Sequence, residues 1–383
     1  MPLPRIISEV SKRGADYGYS WEWFPATIIM CGLNRLNLII MLAYITRRFL
    51  LLILVLFGAS VLLFGIFMTF SPERRAAAYV TSPQQAKDIP RIIEQFGLDD
   101  PFYIQYFRWV KELSRGNLGW SLVASRPVGE AFWNYFPVTL EMNLFAAPIV
   151  IIFGIWLGTL SGVHRNTWID HSTRILAIVG WSLPTFFFAL VMLMVFYGYF
   201  QIFSPGVISD HLSMFIMDNP EAFTRYTGLY TLDGILNRRW DVTLDAVSHL
   251  VLPVLTYVIV VVALNMRVMR SGLIEELSKD YVITARAKGA DNKTVYLKHA
   301  RRNALLPVIT VAGQMVALSM EGSIAVEVVF NRHGIGWWLA ESSIQLDTPV
   351  LLCICLFMAV IFVITNLTLD IMYAYIDPRI RLN

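Results

Sequence analysis

Charged side chains are scarce in this sequence. Lys, Arg, Asp and Glu together make up 15% of the 383 residues, whereas hydrophobic residues make up 56%. A soluble globular domain has roughly 25% charged residues, so this composition argues against a soluble protein. The net charge of +3 is also too small to indicate nucleic-acid binding, and we expect no nucleic-acid partner.

Cysteine is scarce too, with three residues in the whole chain. Cys353 and Cys355 lie within one apolar stretch and do not form a CxxC motif, and Cys31 is far from both. This number and spacing support neither a disulfide framework nor a zinc site. We therefore expect inert cysteines and no metal site.

Catalytic motifs are missing as well. The sequence has no GxxxxGK[ST] loop that could hold the phosphates of ATP, no HExxH zinc motif and no GxSxG nucleophile motif. The six histidines are scattered, which argues against an enzyme site inside the membrane; they are His164, His171, His211, His249, His299 and His333. We expect no catalytic residues and no cofactor in this chain, which is therefore not itself an enzyme.

Long uncharged runs, in contrast, are abundant. A membrane core about 30 Å thick needs roughly 20 apolar residues per helix, and lipid offers no partner for unpaired backbone groups. These runs are apolar on all sides, whereas the strands of a membrane barrel would alternate. We predict an all-α polytopic membrane protein with about six transmembrane helices, at residues 49–70, 142–163, 175–203, 246–266, 303–320 and 349–369.

Residues 1–40 form an N-terminal extension with three open interpretations. Arg35 interrupts its apolar stretches and no small-residue cleavage site is clear, so it is not a standard signal peptide. The extension is an interfacial helix, a short extra span, or a stretch upstream of a true start at Met41. Residues 41–383 form the predicted transmembrane domain.

The distribution of Lys and Arg near the spans predicts the orientation. The segment between the fourth and fifth spans has nine basic residues against four acidic ones, so we predict that it is cytoplasmic. Six spans then place both termini in the cytoplasm. We expect the chain to lie in the inner, or plasma, membrane of the cell. Segments 71–136 and 204–245 fall on the outer side, and the second of them is acidic.

The outer segment after the first span is predicted to be folded. Phe102, Tyr106 and Trp109 follow helical spacing, and a smaller helix is predicted at residues 89–96. The segment either packs as a lid on the mouth of the helix bundle or forms a docking surface for an external partner. One helix can do both.

The cytoplasmic loop at residues 269–303 has the pattern of a helix-turn-helix. One helical stripe consists of apolar residues four apart, namely Leu273, Leu277, Tyr281 and Ala285. Gly289 suits the left-handed conformation that ends a helix, and Asp291 or Asn292 can cap a second one. Small side chains at Ala287 and Ala290 would allow the hairpin to enter a groove on a soluble partner. The alternative is an ordinary basic loop held against anionic lipid.

Two runs in this loop resemble a known family. They read DYVITARAKGA at residues 280–290 and HARRNALLP at residues 299–307, and FGLD at 96–99, SLPTF at 182–186 and DPRIR at 377–381 follow in family order. From about residue 41 to its end, the chain resembles permease subunits of binding-protein-dependent ABC importers, more narrowly the dipeptide, oligopeptide and nickel permease family. Where the general importer loop begins with Glu-Ala-Ala, this chain has Ile283, Thr284 and Ala285.

The resemblance implies a complex with a second homologous permease, two ATPase subunits and an extracytoplasmic solute-binding protein. The ATPase subunits would bind ATP and Mg, and their closure would move this coupling loop and open the pore. The implied contact residues are Asp280, Tyr281, Ala285, Ala287, Gly289, Ala290 and Asn303. Peptides are the expected solute, with nickel or oligosaccharides as the alternative and a gradient-driven secondary transporter as a more distant one.

Two acidic residues near the outer half of the fifth span are candidates for the solute pathway. Charge within the membrane is costly and therefore indicates function. Glu321 is our hypothesis for a contact with a cation or an amine, and Glu327 lies in the same outer half. The alternatives are a group in water at the outer rim, or a buried partner for Arg332 or His333.

Overall fold

The computed structural model describes residues 46–47, 50–51, 53–80, 88–320 and 322–376. This part of the chain is mostly helical, with one small hairpin that the all-α prediction did not include. The α-helices are α1 Ile53–Phe67, α2 Pro72–Ala76, α3 Ile89–Phe96, α4 Phe102–Ser114, α5 Val128–Val163, α6 Trp168–Ser182, α7 Thr185–Met192, α8 Asp210–Asp218, α9 Tyr230–Leu236, α10 Trp240–Leu277, α11 Asp280–Ala287, α12 Asn292–Thr294, α13 Arg301–Ser319, α14 Ile324–Val329, α15 Ile335–Gln345 and α16 Thr348–Ile376. A 3₁₀ turn at Ala77–Tyr79, π-helical turns at Leu193–Tyr199 and Val295–Ala300, and the antiparallel strands β1 Trp120–Ser121 and β2 Arg126–Pro127 complete the elements. The extension at residues 1–40 lies outside the described residues.

Three of the described helices are long and apolar enough to cross a membrane, namely α5, α10 and α16 over Thr348–Leu369. A fourth crossing is present if α6 and the helical stretch Thr185–Tyr199 are counted as one bent span. The predicted first span falls on the shorter apolar helix α1 and the predicted fifth on α13, and neither is among those helices. The structure therefore supports a polytopic membrane protein with three or four crossings by helix length and composition.

The predicted third span, 175–203, contains a sharp bend. The chain bends by 101° between α6 and the stretch that begins at Thr185. The reason is local, because Pro184 disfavours the helical conformation of the residue before it. Leu183 accordingly has an extended backbone, with φ −79° and ψ 128°.

Two observed helices extend beyond the spans that the sequence predicts. The predicted second span starts at residue 142, but α5 already begins at Val128, within the segment predicted to be outer. The predicted fourth span ends at residue 266, but α10 continues to Leu277, so the first part of the predicted loop 269–303 belongs to that helix. In both cases the apolar run is shorter than the helix, because charged residues end a membrane-embedded stretch without ending the helical backbone.

A close contact between α5 and α10 forms the centre of the bundle. Three glycines of α5 face α10 at four-residue spacing, namely Gly154, Gly158 and Gly162. A Cβ atom added to Gly158 would lie 2.5 Å from the Cβ of Met269, and one added to Gly154 would lie 2.6 Å from the Cβ of Asn265. Small residues four apart let two membrane helices approach closely, and van der Waals packing then holds them together.

The remaining helices pack around this pair. Helix α6 packs on α10, and α13 packs between α10 and α16. The two helices predicted within segment 71–136 are present, as α3 at Ile89–Phe96 and α4 at Phe102–Ser114, and their outer location stays a prediction. Their apolar faces join α1 in one core cluster, in which the ring of Phe64 contacts those of Tyr106 and Trp109.

Candidate functional site: the coupling hairpin and a buried charge cluster

Helix α11 forms the tip of a hairpin between α10 and α13. It starts after Lys279, whose backbone is extended, and it is followed by Gly289 with φ +81°. The N–H groups of Gly289 and Ala290 donate to the carbonyl oxygens of Arg286 (2.9 Å) and Ala285 (3.1 Å), which satisfies two otherwise free groups at the helix end. The left-handed turn at Gly289 is therefore as the sequence predicts.

The return arm of the hairpin begins with the predicted cap. The Asp291 carboxylate accepts a hydrogen bond from the N–H of Thr294 (3.3 Å). Hydrogen bonding by the Thr294 side chain, and to a smaller extent by this N–H, lowers the pKa of Asp291. The arm then runs through α12 and the π-helical turn Val295–Ala300 into α13. The sequence pattern predicts a single helix here and gives no sign of the π-helical turn.

A three-residue lock closes the base of the hairpin. The Tyr281 hydroxyl donates to Oε2 of Glu276 at 2.6 Å, and Nδ2 of Asn303 donates to the Tyr281 oxygen at 3.2 Å. The same Nδ2 lies 3.4 Å from Oε2 of Glu276, and Nζ of Lys279 pairs with Oε1 at 2.5 Å. Burial, followed by the Glu276 carboxylate, raises the pKa of Tyr281 to about 12, so its hydroxyl keeps the proton that it donates. The lock joins the end of α10, the start of α11 and the first turn of α13.

The predicted contact residues divide into two groups. Asp280, Ala287 and Gly289 are exposed at the tip, whereas Ala285 and Ala290 are half-buried. Tyr281 and Asn303 belong to the lock described above, so their observed contacts are within the hairpin. The structure thus brings all seven predicted residues into one hairpin, but it presents only part of them to a partner.

Two residues of the hairpin were missed by the sequence analysis. Glu276 accepts the hydrogen bonds of the lock, and Ile283 leaves 60% of its surface exposed on α11. Ile283 lies off the apolar stripe that includes Leu277 and Tyr281, and a large apolar side chain off that stripe is the signal that could have identified it. Glu276 carried no such signal, because its contact with Asn303 joins residues 27 positions apart in the sequence.

A buried ion pair fastens the root of the hairpin to two other helices. Nε and Nη2 of Arg270 donate to the two carboxylate oxygens of Asp170 at 2.7 and 2.8 Å. Asp170 is fully buried and also accepts from the Ser161 hydroxyl (2.6 Å) and the Asn166 N–H (3.0 Å). This cluster, which we call the root clamp, joins the C-terminal end of α5, the N-terminal end of α6 and the last third of α10.

Glu327 lies in a second buried cluster, at the other end of α5. Its Oε1 accepts from the Thr139 hydroxyl (2.7 Å) and its Oε2 from the Trp337 N–H (3.0 Å). Burial raises the pKa of Glu327 to about 7, against the opposing effect of these hydrogen bonds. Glu327 thus connects α14 to α5 and α15, and its place on the solute pathway stays a prediction. Glu321 lies outside the described residues.

Arg332 extends this cluster towards the predicted outer segment 204–245. It is fully buried, its Nη1 donates to the Gly206 carbonyl (3.1 Å), and its Nη2 lies 3.6 Å from Oε2 of Glu141. The other oxygen of Glu141 accepts from the N–H and hydroxyl of Thr231 at 2.7 and 2.8 Å. These contacts attach the segment to the bundle at two points.

Comparisons with known proteins cover most of the chain. Residues 151–382 match the family described as binding-protein-dependent transport system inner membrane component, and residues 41–143 match its N-terminal membrane component. The chain is 36% identical to a dipeptide transport system permease protein of Alkalihalophilus pseudofirmus, over 89% of this chain and 100% of the relative. It is 38% identical to a probable D,D-dipeptide transport system permease protein of Escherichia coli K12 (86% and 94%). It is 33% identical to an oligopeptide transport system permease protein of Bacillus subtilis (89% and 100%).

Proposed function

This chain belongs to the family of inner membrane components of binding-protein-dependent transport systems, and on that premise we propose that it is the permease subunit of an ATP-driven peptide importer. It forms half of the solute pathway, and a second homologous permease forms the other half. Peptides are the solute that the names of the dipeptide and oligopeptide relatives support. Nickel and oligosaccharides are the alternative solutes for the same machinery.

The observation that carries this proposal is the hairpin around α11, which is cross-linked by hydrogen bonds at its base and root. Its tip is exposed, its base is closed by Glu276, Tyr281 and Asn303, and its root is fastened by the buried pair of Asp170 and Arg270. A tip that moves with its root can transmit a displacement to the helices to which the root is attached. We infer that the ATPase subunits hold this tip and supply the displacement, with ATP and Mg²⁺ bound on their side and no ATPase site in this chain.

The same inference gives the topology. The hairpin tip lies in the cytoplasm, together with both termini, and the outer segments 71–136 and 204–245 face the solute-binding protein. Six crossings then result if α1 and α13 cross the membrane together with α5, α10, α16 and the bent pair that begins with α6. A secondary transporter is the rival, and it usually has broken helices in matching positions. Among the described helices, α6 and its continuation form one such bent pair without a second.

Association of the subunits tests the coupling role most simply. Gly289 and Gly116 form a matched pair, because both are left-handed (φ +81° and +82°), both have open space where a Cβ would lie, and both donate an N–H at 2.9–3.0 Å. Proline fits neither φ angle and removes the N–H in both. We expect the ATPase subunits to co-purify with Gly116→Pro and to be lost from Gly289→Pro. Equal retention of the ATPase subunits by both variants would contradict the proposal.

The solute is tested with the whole complex in vesicles. ATP hydrolysis and uptake are measured with the solute-binding protein and, in turn, peptides, nickel chelates and oligosaccharides. We expect stimulation by peptides. Stimulation by nickel or sugars alone would replace the peptide assignment, and uptake driven by an ion gradient without ATP would replace the importer.

A further inference from the structure

An apolar cleft opens between the C-terminal half of α5 and the return arm of the coupling hairpin. Its volume is about 640 Å³, within the usual range of roughly 300–1,000 Å³ for ligand sites. Apolar residues of both elements line most of it, namely Ile152, Ile155, Trp156, Leu160, Val163 and Leu297. Trp156 leaves 57% of its surface exposed, so the cleft is open to the surroundings of the bundle.

The charged side chains that line this cleft are all basic. Lys293 on α12 and Arg301 at the start of α13 line it together with His164, which directly follows α5. None of the described residues that line the cleft is acidic, and neither Lys293 nor Arg301 has an ion-pair partner among the described residues. The apolar wall can therefore contact a lipid tail, and the basic side chains can contact an anionic headgroup.

The position of the cleft along α5 also agrees with a bound lipid. The apolar run of α5 ends at Val163, and His164 and Arg165 follow. The change from apolar to basic residues marks the level at which the helix leaves the hydrocarbon of a membrane. Long basic side chains at that level extend towards lipid headgroups, and basic pockets between membrane helices bind anionic ones.

We propose that this cleft is a binding site for an anionic phospholipid, with an acyl chain along α5 and the phosphate on Lys293 and Arg301. The proposal goes beyond the transport role and requires only that this end of α5 lies at a membrane surface. Because the π-helical turn Val295–Ala300 connects the coupling hairpin to α13, the bound lipid also stabilises the return arm of the hairpin.

Photolabelling of the assembled complex tests the site. The complex is placed in phosphatidylcholine nanodiscs that contain a phosphatidylglycerol with a photoreactive group in one acyl chain, and labelled peptides are identified by mass spectrometry. We expect label within residues 152–163 and 293–301, with competition by unlabelled phosphatidylglycerol and not by phosphatidylcholine. Each of Lys293→Gln and Arg301→Gln should raise the lipid fraction needed for half-maximal labelling about fivefold, and the double variant about twenty-five-fold.

Two further variants distinguish lipid binding in the cleft from general attraction of anionic lipid to the charged surface. Arg165→Gln removes one cation from the same surface but not from the cleft, and we expect it to leave the labelling unchanged. Thr159→Trp fills the cleft without a change of charge, and we expect it to abolish the labelling even if the double charge variant does not fold.

Four results would overturn the proposal. The first is labelling by a photoreactive phosphatidylcholine as strong as labelling by the phosphatidylglycerol, and the second is undiminished labelling in the double variant or in Thr159→Trp. The third is a loss of labelling in Arg165→Gln as large as in the cleft variants. The fourth is label on the second permease alone, which would show that this subunit covers the cleft. Labelling is read without transport, so its failure leaves the importer proposal intact, and a failure of the importer proposal leaves the labelling result intact.

Discussion

Removal of the root clamp should weaken the protein far more than removal of a similar pair at the surface. Asp170 and Asp241 both pair with an arginine through two hydrogen bonds, of 2.7 and 2.8 Å for Asp170 and 2.9 and 2.7 Å for Asp241. Their surroundings differ, because the Asp170 side chain is fully buried and that of Asp241 is 51% exposed. Asparagine has nearly the same shape in both places, so the comparison isolates the charge.

The expected magnitudes follow from burial. Loss of one partner of a buried ion pair costs about 3–5 kcal/mol, because the other charge is left without compensation. Arg270 is 21% exposed, and an asparagine oxygen can still accept from Ser161, so we expect the low end, about 3 kcal/mol, for Asp170→Asn. An exposed pair contributes about 0–1 kcal/mol, which sets the expectation for Asp241→Asn.

Stability is measured by denaturant unfolding of the purified complex in detergent micelles, and ATP hydrolysis per peptide imported is measured with the same complex in sealed vesicles. Asp170→Asn should lower the stability and raise the ATP used per peptide, because the hairpin root is then free to move without α5 and α6. Arg270→Lys keeps the charge but loses the bidentate hydrogen bonding, and we expect it to lower the stability by about half as much as Asp170→Asn does. Equal stabilities of Asp170→Asn and Asp241→Asn, or unchanged coupling in a destabilised Asp170→Asn, would refute the role of the root clamp.

Three further predictions concern packing, docking and pH. Gly158→Ala should cost about 2 kcal/mol through overpacking against α10, measured by thermal unfolding, whereas Gly65→Ala, with open space around it, should cost nothing or stabilise. Ile283→Ser should reduce co-purification of the ATPase subunits severalfold, whereas Ile344→Ser, at an isoleucine on α15 that is more exposed than Ile283 (78% against 60%), should not. Because Glu327 has a pKa of about 7 in the folded chain and about 4.5 when unfolded, the folded state binds the additional proton between these values. Stability should therefore fall by roughly 3 kcal/mol as pH rises from 4.5 through 7, and Glu327→Gln should remove this dependence; a stability that rises with pH over that range would contradict the sign.

The sequence predicted the existence of the helices better than their ends. Hydropathy locates the apolar part of α10, but it does not predict that the helix continues to Leu277. This last part of α10 contains Arg270, which pairs with Asp170 of α6. A kink or a helix start at Pro184 is predicted by the sequence, since the residue before a proline avoids the helical conformation. An apolar window is blind to it, because Leu183 and Pro184 do not interrupt the run of apolar residues.

The coupling hairpin was predicted only in outline, because local rules describe helix ends but not contacts between helices. Gly289 and Asp291 act on their own neighbours in the chain, so their roles follow from local rules for helix ends. Glu276 and Asn303 meet only after α10 and α13 have packed, and no local rule gives that register. Gly154, Gly158 and Gly162 were visible as small residues four apart, a spacing that indicates a close helix contact, but the sequence analysis did not use it.

The central claim is that the tip of α11 docks on an ATPase subunit in the cytoplasm. A cysteine at the exposed position 287, in a chain with its three native cysteines replaced, tests it most directly in whole cells and in the purified complex. We predict that Ala287→Cys forms a crosslink to an ATPase subunit and is shielded from a membrane-impermeant thiol reagent added outside the cell. Labelling of this cysteine by the external reagent, without any crosslink to an ATPase subunit, would contradict the claim.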